Sequence, residues 1–145
     1  MIQRILVALD SSDLAGLVLA TAIDAARKEG AQLRLLHVVD VPPQLPPQLL
    51  ASSPSAINEH FLGLGRELLA EHSKSVPREL LSGVEVRMGS PWREICAIAL
   101  EANVDRIVIG AHGHGVIDRM LGTTAAKIVN RSHCSVLVVR PKVGA

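Results

Sequence analysis

The sequence predicts an α/β fold, a parallel sheet of five strands sandwiched between helices. Three observations carry this. Short β-branched apolar runs alternate with segments of helical periodicity along the chain. Hydrophobic residues make up 48% of the 145, yet Phe61 and Trp92 are the only Phe, Trp or Tyr, so the core is aliphatic, as suits helices on a buried parallel sheet. Finally, no internal repeat or linker divides the chain, and its length suits one core, so residues 1–145 are read as one domain.

Each element follows in order. "ILVALD" (5–10) is the first strand, and "SSD" after it supplies helix-capping residue types. Leu14, Leu17, Val18, Thr21, Ala22 and Ala25 recur at three- and four-residue steps and share a helix face. Gly30 stands where a left-handed C-cap would end that helix. "QLRLLHVVDV" (32–41) is the second strand, which makes a βαβ unit with a right-handed crossover. Residues 42–55, "PPQLPPQLLASSPS", hold too many prolines for a regular element and are expected to form a surface connection, with a flap beside a ligand as the alternative. Ile57, Phe61, Leu64 and Leu68 mark a second amphipathic helix, in which Gly63 and Gly65 each cost roughly 1 kcal/mol of propensity.

"VEVRM" (84–88) alternates apolar with charged residues, as an exposed edge strand does. Ser90 and Pro91 suit the N-cap and first position of a helix reaching Ala102, with Ile95, Ile98, Ala99 and Ala102 inward. "RIVIG" (106–110) is a fourth strand. "TAAKIVNRS" (124–132) forms a short helix and "SVLVVR" (135–140) the last strand. Strands 1 and 4 read as central and strand 3 as an edge, which gives the order 3-2-1-4-5. In such sheets ligands bind beyond the carboxyl ends of the strands where chain direction reverses. Asp10 and the segment Gly110 to Gly115 converge there.

The stretch "IGAHGHGVIDRMLGTT" (109–124) carries the chemistry. Gly110, Gly113 and Gly115 let backbone approach an anion, and Gly122-Thr123-Thr124 opens a helix whose dipole favours one. A plain strand-to-helix turn is the alternative. The chain has no G-x-x-x-x-G-K-[ST] motif, and Asp10-Ser11-Ser12 stands where a dinucleotide fingerprint would follow the first strand. His112 and His114 lack a third partner at metal-ligand spacing, so no protein-held metal is expected. No G-x-S-x-G elbow offers a nucleophile, and Cys96 and Cys134 read as reduced, packed thiols. Asp10 suits a ribose or a metal, or else caps the first helix with Ser11 or Ser12.

A net charge of +1 with scattered basic residues gives no footprint for nucleic acid or an anionic membrane. No apolar run approaches ~18 residues. The start "MIQRILVALD" lacks the features of a secretory signal, so a cytoplasmic protein is expected.

Taken together, Asp10 closing strand 1, "LLHVVDV", "GSPWREI" and "DRIVIGAHGHG…LGTTAAKIVNRSHCSVLVVR" resemble the universal stress protein family over nearly the whole chain. The most specific element is the family's nucleotide-binding pattern, G-x-x-G, nine residues, then G-[ST]. Gly110 to Gly113 supply its first half and Gly122-Thr123 its second, with eight residues between Gly113 and Gly122, one fewer than the pattern. The resemblance implies a flavodoxin-like, adenine nucleotide alpha-hydrolase-like sandwich and ATP at the switch point, with AMP or cyclic AMP as alternatives and Mg²⁺ or Mn²⁺ carried by the nucleotide. It places Ala8 and Asp10 beside the adenosine, Val38 or its neighbour against the adenine through backbone groups, and Gly110, His112, Gly113, Gly122, Thr123 and Thr124 along the ribose and phosphates.

The implied function is a stress-response or regulatory one. A slow ATPase using His112, His114 or Arg119 and a nucleotide-free interaction protein are the alternatives. The family is usually dimeric, and the apolar last strand needs cover if it is an edge, which predicts a homodimer through residues 136–140.

Overall fold

The computed structural model describes residues 1–112 and 120–141. Its strands are β1 (Arg4–Ala8), β2 (Gln32–Val39), β3 (Leu81–Met88), β4 (Arg106–Gly110) and β5 (Ser135–Val139). The helices between them are α1 (Ala15–Glu29), α2 (Pro54–Ser73), α3 (Pro91–Glu101) and α4 (Thr123–Arg131). All neighbouring strands pair in parallel, in the order β3-β2-β1-β4-β5 that the hydrophobic patterning predicts. β1 lies centrally because it is apolar on both faces: Leu6 and Val7, consecutive and opposite in direction, are both fully buried.

That alternation divides the core into two layers. Val7, Leu33 and Leu35 pack with Val18, Ala22 and Leu69 of α1 and α2. On the other face, Leu6, Leu36 and Ile107 pack with Ile98 of α3 and Ile128 of α4.

Several boundaries differ from the sequence reading. β1 stops at Ala8, β2 at Val39 and β5 at Val139, so Asp10 lies in the turn beyond its strand. Within the proline-rich segment, Pro47–Leu49 makes one turn of 3₁₀ helix anchored by buried Leu49. α2 starts at Pro54, earlier than Ile57, because Pro54 takes the first helical position, where its missing N–H costs nothing. Ser53 caps it, its Oγ accepting a hydrogen bond from Ala56 N at 3.1 Å. Asp10 does not cap α1: the N-cap is Leu14, with no side-chain bond. Ser90 occupies the N-cap of α3 but likewise makes no side-chain bond there. Gly30 ends α1 as expected, at φ 67°, its N–H donating to Ala26 O.

The glycines of α2 are unequal. A Cβ on Gly65 would lie 2.8 Å from Val86 Cγ1 and 3.1 Å from His37 Cδ2, so this glycine lets the helix sit down on the sheet, whereas Gly63 faces open space.

At the amino-terminal pole of the sheet, Asp105 Oδ2 accepts hydrogen bonds from Gln3 N and Arg4 N, each at 2.9 Å, and so ties β4 to β1. Arg106 Nη1 pairs with Glu29 at 3.0 Å and fastens the end of α1 to the same pole. No helix among the described residues is long and apolar enough to cross a membrane.

Candidate functional site

A cavity of about 360 Å³ opens at the carboxyl pole, where β1 and β4 part in opposite directions of chain order. Its volume lies in the range of small-molecule sites. Ala8, Asp10, Val38, Gly110, His112, Gly122, Thr123 and Thr124 all line it, so residues more than a hundred positions apart meet there. Gly113 lies outside the described residues, as do His114, Gly115, Arg119 and most of the eight-residue spacer.

The turn after β1 sets Asp10. Its Oδ1 accepts from Ser12 N at 2.9 Å and from the Ser12 hydroxyl, a local turn typical of aspartate, while α1 begins only after Leu14. These bonds use one carboxylate oxygen and leave Oδ2 for a ligand. Asp10 is exposed at the rim, so holding a negative charge there costs little desolvation.

The two described glycines of the motif both lie where other atoms approach closely. Gly110 has α1 above it: a Cβ there would lie 3.0 Å from Leu14 Cδ2 and 3.4 Å from Val18 Cγ2. At Gly122 the chain returns across its own path. Ala111 N donates to Val139 O at 2.8 Å and Gly122 N donates to Ala111 O at 2.7 Å, which closes the loop. A Cβ on Gly122 would then stand 3.2 Å from His112 Cα and 3.4 Å from Ala111 O. Its φ of −63° is open to any residue, so space and not backbone conformation selects glycine.

Gly122 is also the N-cap of α4 and supplies no capping side chain. The first amides of α4 therefore have no partner within the helix and point outward with the positive end of its dipole. Thr123 and Thr124, both exposed, add hydroxyls at the same place. An anion fits this end of the cavity.

The other wall is apolar, formed by Val38, Pro91, Ile95 and Ile109, and takes a flat uncharged group. Pro91 and Ile95 of α3 escaped the sequence reading because a helix's inward face shows only as core. His37, the neighbour of Val38, also lines the cavity. Its Nδ1 lies 2.7 Å from Leu9 O, and a carbonyl can only accept, so Nδ1 carries the proton; in the neutral ring Nε2 keeps its lone pair.

Cys96 and Cys134 are free, half-buried thiols packed against the α3–α4 layer and do not line the cavity. Burial pushes the Cys96 thiol above its ordinary value, which keeps it protonated. Among the described residues, no three His, Cys, Asp or Glu side chains gather as a metal site would require.

The universal stress protein family matches residues 1–140. Universal stress protein Sll1388 of Synechocystis is 30% identical, covering 94% of this chain and 97% of that protein. The structure of the universal stress protein UspA from Lactobacillus plantarum aligns with a TM-score of 0.78 at 26% identity, over 95% of this chain and 97% of that one. A universal stress protein solved in complex with cyclic AMP shares the fold, with a TM-score of 0.68 at 21% identity, over 95% and 97% of the two chains. This chain belongs to the universal stress protein family.

Proposed function

We propose that this universal stress protein binds an adenine nucleotide, ATP with AMP and cyclic AMP as alternatives, between Asp10 and the segments Gly110–Gly113 and Gly122–Thr124. The observation that carries the reading is the two-sided cavity. One wall is apolar, at Val38, Pro91 and Ile95, and the opposite rim offers a carboxylate, two threonine hydroxyls and the free amides of a helix start. Such a site takes the three parts of a nucleotide in order. The base lies on the apolar wall with Val38 backbone at its edge, a ribose hydroxyl donates to Asp10, and the phosphates meet the α4 amides. Mg²⁺ or Mn²⁺ would enter on the phosphates, because the described lining offers Asp10 as its single carboxylate. Relatives of this fold include a protein solved with cyclic AMP, which supports the nucleotide class.

In this reading the protein is a cytoplasmic stress-response regulator whose occupancy changes its affinity for partners. Calorimetry with ATP, AMP and cyclic AMP tests it, beside mass spectrometry of the purified, denatured protein. Saturable binding of at least one is expected; heat-free titrations with all three and no co-purified nucleotide overturn the proposal.

Self-association is assigned to β5. Its outer edge has no strand partner among the described residues, and Val136, Leu137 and Val138 remain only half-buried. A second copy pairing along 136–140 would cover that edge. Sedimentation at high micromolar concentration should show a dimer, and a monomer alone would refute the assignment.

A further inference from the structure

Trp92 is the chain's single tryptophan, and it sits half-buried between α3 and α4 at the outer side of the helical layer. Three cations surround its ring. The Arg131 guanidinium lies 4.8 Å from the ring centroid, that of Arg93 5.2 Å, and the Lys127 ammonium 5.6 Å. Arg93 comes from α3, while Lys127 and Arg131 stand four residues apart on α4 and so share a face.

These charges have no carboxylate within ion-pair distance among the described residues, a state they share with Arg4, Arg27 and Arg78 but hold together around one ring. Arg34, Arg66, Arg87 and Arg106 each pair with a glutamate. The carboxylates of α3 do not serve the cluster either: Glu94 and Glu101 approach Arg87 of β3, at 3.7 and 2.8 Å. Three positive charges are thus held around one ring, each nearer to its centre than a Debye length of about 8 Å at physiological ionic strength. The ring's electron-rich faces hold the cations in place, and an incoming anion relieves their mutual repulsion.

We propose that this α3–α4 face docks an acidic segment of a partner protein. Tryptophan and arginine are the residue types that anchor protein interfaces, and here the indole and the stems of three long side chains form a floor beneath three donors. A second copy with this patch on its two-fold axis does not fit, because the patch would meet itself and bring like charges together. Nucleic acid is disfavoured by number. A phosphate backbone is commonly neutralised through ~6–10 contacts, whereas this patch offers three cations on a chain of net charge +1. The face is separate from the nucleotide cavity, into which α3 and α4 turn Ile95 and Ile128, and the proposal stands whether or not a nucleotide binds.

The lone tryptophan makes the site its own reporter. Titrating the full chain with N-acetylated hexaglutamate should change Trp92 emission saturably. The double variant Lys127→Glu/Arg131→Glu should bind about tenfold more weakly or worse. Lys74→Glu, on the distant α2 end, should bind as wild type does. If the double variant fails to fold by circular dichroism, Arg93→Gln, at an exposed position, takes its place with an expected loss of roughly threefold or more. A wild type without saturable response overturns the proposal, as does equal weakening by Lys74→Glu. Tighter binding of tripolyphosphate or of a thymidine oligonucleotide of equal charge also overturns it, in favour of a general polyanion site.

Discussion

At the amino-terminal pole of the sheet, Asp105 accepts hydrogen bonds from two backbone amides at the start of β1, Gln3 N and Arg4 N. At the carboxyl pole, Asp10 accepts only from its near neighbour Ser12, through one oxygen. Both carboxylates are in short turns next to central strands, and one residue type serves two ends. Asp105 likewise uses one oxygen, Oδ2, but its two bonds reach across the sheet and close it. Asp10 retains acceptor capacity beside a cavity. The difference teaches that partners across the fold, and not residue type or position near a strand end, separate a structural carboxylate from one available to a ligand.

The strongest way to break this contrast is to fill the carboxyl pole. Gly122→Val places side-chain atoms where Cβ alone would already stand 3.2 Å from His112 Cα. Overpacking of that kind costs about 1–3 kcal/mol of stability, and nucleotide affinity should fall roughly 100-fold, equivalent to about 2.7 kcal/mol. Urea unfolding and calorimetry on the same variant measure both. A variant that binds as wild type would remove Gly122 from the site.

Next in size is Asp10→Ala, which should weaken nucleotide binding roughly tenfold to hundredfold, the loss of a hydrogen bond to a charged group. Stability should stay within about 0.5 kcal/mol, as for other exposed positions. Unchanged affinity with a lowered Tm would make Asp10 a second Asp105 and erase the distinction.

The smallest effect belongs to Asp105→Asn, and it should appear in stability alone, with nucleotide affinity unmoved. The hydrogen bonds from the Gln3 and Arg4 amides hold the Asp105 carboxyl below its usual range. A carboxylate whose pKa is lower in the folded state binds fewer protons there than when unfolded. Its contribution is therefore complete above the unfolded value, near ~3.9, and disappears as pH falls through the folded one. Thermal melts of wild type and Asp105→Asn should differ at pH 7 and converge below about pH 4. Curves that stay parallel into acid would mean that the carboxylate charge is not what ties the strands.

Much of the architecture was legible because it rests on patterns of one or two neighbours. The apolar runs at Leu6–Val7 and Ile107–Ile109 announced central strands, and the alternation at 84–88 announced an edge. Boundaries were less legible where one residue has two uses: Pro54 reads as a breaker from its composition but opens α2 once Ser53 caps it. For the site, position after β1 and β4 was enough to bring Asp10 toward Gly110 and Gly122–Thr124. What spacing could not reveal is which atoms press on a glycine. Gly110 reads as a place for a ligand's approach, while in the fold Leu14 and Val18 of α1 already occupy its free side. Likewise, nothing near Trp92 in sequence announces Lys127 and Arg131, since only the packing of α3 on α4 brings them over its ring.

The tie between Asp105 and the amides of Gln3 and Arg4 spans 101 and 102 positions, and β1 receives its second neighbour, β4, only then. On a ribosome adding ~5–20 residues per second, β1 waits on the order of 5–20 s with one edge open. Leu6 and Val7 are among the most deeply buried side chains of the finished protein, and during that interval they flank an unpaired backbone. The innermost strand of the sheet is thus the one whose second partner is synthesised about a hundred residues after it.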